Sequence, residues 1–93
     1  MDRQEARRLL EETHAFPGRF NFRVVVRPAD REAVVQAIEH AGGEHLELLG
    51  VEARESRQGT YISLHVHATV SSPDTVLAVW SALSGRPEVV YTM

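Results

Sequence analysis

His65 and His67 stand two residues apart in the run Ile62-Ser-Leu-His-Val-His-Ala-Thr-Val70. On an extended strand that spacing puts both imidazoles on one side, with Cα atoms about 7 Å apart. Two imidazoles could supply two ligands to a metal, and Glu52 on the neighbouring segment could approach from the same face. A structural or catalytic zinc site needs three or four protein ligands, and the sequence holds no second His or Cys cluster. The alternation therefore reads as a polar, exposed sheet face with no metal and no cofactor.

Arg23, Arg27 and Arg54 are expected on that same face, together with Tyr61 and Ser63. Guanidinium groups beside a hydroxyl and two imidazoles could form a shallow platform for a small anionic ligand. A solvated sheet face or a dimer surface is the favoured reading. RNA recognition on such a sheet requires paired aromatic residues on the two central strands. Only Tyr61 qualifies, because the first strand offers Asn21, Arg23, Val25 and Arg27.

The elements that must carry these side chains follow from punctuation and period. Residues 1–14 form an N-terminal arm, helical or frayed, around Ala6, Leu9 and Leu10. Phe16-Pro17-Gly18 breaks it. Phe20 to Arg27 alternates as a strand, with Phe20, Phe22, Val24 and Val26 on the other side from the arginines. Pro28-Ala29-Asp30 opens a helix, with Asp30 as N-cap, and Val34, Val35, Ile38 and Ala41 keep helical spacing up to Gly42-Gly43. Ser72, Pro73 and Asp74 start a second helix, whose buried stripe is Val76, Leu77, Trp80 and Leu83. Val89 to Met93 is a short terminal strand.

Between the helices, Glu47 to Arg54 and Thr60 to Val70 make a hairpin around Ser56-Arg57-Gln58-Gly59, a polar loop ending in a glycine that can take a positive φ. Pairing Glu55 with Thr60 sets Ala53 opposite Ile62, Val51 opposite Leu64 and Leu49 opposite Val66, all apolar. The other face then pairs Arg54 with Tyr61, Glu52 with Ser63, Gly50 with His65 and Leu48 with His67. Opposed residues share a face, and a slip of one would mix the two sets. The order β-α-β-β-α-β predicts an α+β, ferredoxin-like sandwich over residues 15–93. Its four-stranded antiparallel sheet carries two helices on one face.

Three motifs carry a family resemblance. Phe16-Pro17-x-x-Phe20-x-Phe22-Arg23-Val24, Ser56-x-x-Gly59-x-Tyr61-x-Ser63 and the ending Pro87-x-Val89-Val90-x-x-Met93 resemble the YbeD-like family of small uncharacterised bacterial proteins. The resemblance covers about residues 14 to 93 and implies the same element order, in a fold that looks like the ACT regulatory domains. Those domains bind amino acids beside a glycine between the first strand and first helix. The matching segment here, Arg27-Pro28-Ala29-Asp30-Arg31, has none.

Catalytic constellations are lacking. No cysteine is present, so there is no thiol nucleophile, no disulfide and no copper-binding Cys pair. No Gly-rich phosphate loop, His-Glu-x-x-His helix or nucleophile elbow occurs, and the glycine-rich arginine loop of acylphosphatases is absent. A formal net charge of −3 argues against nucleic acid as a partner. All ten basic residues are Arg. The amino terminus is charged and lacks an apolar core, and no apolar run approaches a membrane span, so a cytoplasmic protein off the membrane is expected. The expectation is a small non-enzymatic regulatory or adaptor domain contacting a second copy or another protein. The alternative is a sensor of an anionic metabolite or amino acid.

Overall fold

The computed structural model describes residues 2–92, and Met93, the last position of the expected terminal strand, lies outside them. Alternation builds the sheet as the sequence pattern demands. In β1, Gly18–Val26, the side chains of Phe22, Val24 and Val26 are buried, while Asn21 and Arg23 are exposed. In β3, Ile62–Val70, every second residue is fully buried, and Ser63, His65, His67 and Thr69 between them are not. With β2 (Leu46–Glu55) and β4 (Val89–Thr92), these strands form a four-stranded sheet in the order β2-β3-β1-β4. All neighbours run antiparallel. This is the expected ferredoxin-like, ACT-like α+β fold.

Helices α2 (Arg31–Gly42) and α3 (Pro73–Ser84) supply Val34, Ile38, Val76, Val79 and Leu83 to a core built on Phe22, Val24, Leu64 and Val66. A third helix, α1 (Arg3–Thr13), packs against α3 and sends Leu10 into the same core, while Leu9 stays 45% exposed. Its start is capped by Asp2, whose Oδ1 accepts a hydrogen bond from the Glu5 backbone N–H at 2.8 Å. The caps expected at Asp30 and Ser72 occupy the right positions, but neither side chain makes a capping bond. A 3-10 turn over Pro28–Asp30 precedes α2 and sets its entry instead. The helix stops where Gly43 takes φ +54°, and the last residue of α2, Gly42, lies directly against Leu46 at the start of β2. Trp80 is half-buried beside Phe20, with ring centroids 5.9 Å apart. Its indole Nε1 is buried without a hydrogen-bond partner among the described residues.

The hairpin departs from expectation in two ways. Glu55 pairs with Ile62 rather than Thr60, so the loop runs from Ser56 to Tyr61. Backbone and side chain together close it there. The Ser56 N–H donates to the Tyr61 carbonyl at 2.8 Å, and the Tyr61 N–H donates to Ser56 Oγ at 3.2 Å. Inside this closure the Gly59 N–H donates to the Ser56 carbonyl at 3.0 Å, with Gly59 at φ +72°. The register is thus moved by two residues, an even number, so Val51 and Ala53 keep their face.

The second departure is a β-bulge between Leu48 and Gly50. Leu49 is the extra residue and is 45% exposed, whereas Leu48 lies opposite Ala68 and packs on the core. The expected placements of these two leucines are therefore exchanged. One inserted residue reverses the alternation of everything before it.

Candidate functional site

Helices α2 and α3 cover one face of the sheet, and the other presents polar side chains from three strands in register. Across β1, β3 and β2 the rows are Val25–Ser63–Arg54, then Arg23–His65–Glu52, then Asn21–His67–Gly50. Ser63, His65 and His67 on the interior strand β3 are half-buried, while Arg23 on β1, also interior, and Glu52 and Arg54 on the outer strand β2 are exposed. Glu52 sits opposite His65 but makes its contact diagonally, with Oε1 3.1 Å from His67 Nε2. In the neutral imidazole the Nε2–H donates to this carboxylate.

Two shallow depressions open on this face. One, of about 260 Å³, is lined by Arg23, Val25, Arg54, Ser63 and His65. The second, of about 650 Å³, lies further along, among Arg19, Asn21, Leu49, Gly50 and His67, with His14 at its border. The structure thus brings Arg23, Arg54, Ser63 and His65 together and places His67 one row away. Two expected residues do not join them. Arg27 lies past the end of β1, exposed at the entrance to the 3-10 turn. Tyr61 is drawn into the hairpin loop by its bonds to Ser56 and borders Arg57 and Thr60 rather than Arg54.

Arg19, Leu49 and His14 are additions that the sequence reading did not single out. The adjacent pair Leu48-Leu49 before Gly50 is the signal that could have revealed Leu49, since a doublet interrupts the period of two. Nothing in the spacing reveals His14. Its ring reaches Phe20 through space, edge-on at 5.0 Å between centroids.

Chemically the face offers donors. Neither Arg23 nor Arg54 takes part in an ion pair among the described residues. In the same region no group of three or more His, Cys, Asp or Glu side chains is arranged to hold a metal ion. No hydrogen bond joins Ser63 to an imidazole among the described residues, so no base stands ready to activate its hydroxyl. No described helix is long and apolar enough to cross a membrane.

Solved structures share this fold, among them the following two. The C-terminal domain of the MgtC protein from Mycobacterium tuberculosis superposes with a TM-score of 0.71 at 19% identity, covering 86% of this chain and 87% of that one. Protein HP0495 from H. pylori gives 0.67 at 20% identity, covering 87% and 86% respectively. At such identities the likeness speaks for the fold alone. The comparison with curated proteins gives no match. The family-level match runs over residues 11–93 and takes in all three motifs: the chain belongs to the YbeD-like family, described as "Protein of unknown function (DUF493)".

Proposed function

We propose that this protein is a small, non-enzymatic regulatory or adaptor domain that works through its open sheet face, in the cytoplasm. One observation carries this reading. Two helices bury one side of the sheet, while the other presents Arg23, Arg54, Ser63, His65 and His67 in register across three strands. Arg, with the apolar patches at Val25 and Leu49 beside it, is a common anchor at protein contacts. Ser63 has no hydrogen-bonded base among the described residues, and the His67–Glu52 pair lies two rows along the sheet from it, which favours contact over catalysis. The simplest occupant is a second copy in a two-fold dimer.

Amide NMR spectra recorded on serial dilution test this. Residues of the rows around His65 and His67 are expected to shift together as the dimer dissociates, and Arg23→Glu should abolish the effect. Shifts confined to the surfaces of α1 and α2 would overturn the assignment of the face. A chain whose spectrum does not change with concentration would exclude the second copy as occupant.

A further inference from the structure

The depression among Arg23, Arg54, Ser63 and His65 has a composition that a generic contact surface does not require. We infer that it is a binding site for a phosphate monoester or free phosphate. The inference goes beyond the contact reading above and stands without it, because binding of a small anion is measured separately from association.

Geometry narrows the ligand. Arg23 lies in the row of His65 and Arg54 in the neighbouring row of Ser63, on strands flanking β3 from opposite sides. Strand spacing and rise put their Cα atoms about 12 Å apart. Both arginines line the same depression over β3, together with Ser63 and His65. Both guanidiniums are without an ion-pair partner among the described residues. An unpaired guanidinium keeps a planar fork of donors that matches adjacent anionic oxygens.

Charge and size select within the anions. Two guanidiniums on opposite sides favour a dianion over a lone carboxylate, which a single fork satisfies. A hydroxyl and an imidazole beneath supply further donors, suiting a tetrahedral group whose oxygens point in several directions. Glu52, opposite His65, is engaged with His67 at 3.1 Å. That carboxylate is thus in contact with His67 and, among the described residues, in an ion pair with neither arginine. At about 260 Å³, the space falls just below the range of about 300–1,000 Å³ typical of whole small-molecule sites. A head group fits, and the remainder of a larger ligand would extend along the face toward Asn21 and His67.

Calorimetric titration of the dilute chain tests the site, with inorganic phosphate, phenyl phosphate and succinate as probes and sedimentation run on the same samples. Saturable binding of phosphate or phenyl phosphate at one site per chain is expected. Arg23→Gln and Arg54→Gln should each weaken it about tenfold, as befits the loss of a charge-assisted contact. Arg31→Gln, on the exposed start of α2, should leave it unchanged. Tighter binding of phenyl phosphate than of phosphate would identify a monoester as the natural ligand, and equal binding would point to the free ion. Both arginines are exposed, so the variants should fold, as their amide spectra will show. Succinate binding as tightly as phosphate would overturn the ligand class. Equal weakening by Arg31→Gln, or no saturation with either phosphate, would overturn the site.

Discussion

Replacing Gly42 with alanine sets two physical effects against each other, and the structure decides between them. Gly42 ends α2 in helical geometry, φ −78° and ψ −29°. Alanine is the better helix former by up to about 1 kcal/mol, and by less at a helix end. Propensity alone therefore predicts stabilisation. The added Cβ, however, would overlap Leu46 Cβ and lie 2.7 Å from Leu46 Cδ1 and 3.0 Å from its Cγ. Carbon atoms prefer separations of about 3.5–4.0 Å. Leu46 has little freedom to retreat, because it opens β2 opposite Val70 and packs on the core. Overpacking of this kind costs about 1–3 kcal/mol. The net expectation is a loss of about 1–2 kcal/mol, lowering Tm by roughly 5–15 °C for a domain of this size.

Urea denaturation provides the measurement, with the midpoint falling and the slope unchanged. Leu46→Gly, which removes the overlapping Cβ along with Cγ and Cδ1, should in the same background make the Gly42 substitution nearly harmless. The two changes would then be strongly non-additive, as expected of residues in contact. A raised midpoint for Gly42→Ala, or additivity with Leu46→Gly, would refute the packing argument and leave helix propensity in control.

Leu10→Ala should cost about 2–5 kcal/mol in the same assay because Leu10 is buried. Leu9→Ala, one residue away and 45% exposed, should stay within about 0.5 kcal/mol; equal effects would mean that α1 is not docked as described. Asp2→Ala removes the cap on α1, and should cost about 0.5–1 kcal/mol and speed amide exchange at Glu5 first. Trp80→Phe deletes the buried, unpartnered indole N–H. Relief of that unsatisfied donor offsets the lost ring contacts, so the change should be within about 1 kcal/mol. A loss above about 2 kcal/mol would refute that balance.

The sequence disclosed much of this fold and less of the site, for identifiable reasons. Phe22, Val24 and Val26 alternate strictly with polar neighbours, and so do Leu64, Val66 and Ala68, so the faces of the central strands could be read directly. The ends of the hairpin could not. Glycine at position 59 predicts a turn but does not state where pairing resumes, and the bonds between Ser56 and Tyr61 moved that point by two residues. Tyr61 left the candidate site as a result. In β2, the four apolar residues at 46, 48, 49 and 51 fit two alternations equally well, and only the bulge resolves them. Arg23 and Arg54 were placed on one face by parity. Their shared depression over Ser63 depends on the exact register, which periodicity does not specify.

The bulge at Leu49 has a consequence for the behaviour of this protein in concentrated solution. β2 is an outer strand of the sheet, and its far side is free of any strand among the described residues. A straight strand of this length would offer other chains a continuous ladder on which to assemble without limit. The extra residue breaks that ladder near its middle. Deleting Leu49 would restore an unbroken alternation from Leu46 through Ala53, with Leu46, Leu48, Val51 and Ala53 all facing the core. The shortened chain would look more regular than the natural one, yet it should have a lower solubility limit. In this strand, irregularity works against edge-to-edge assembly.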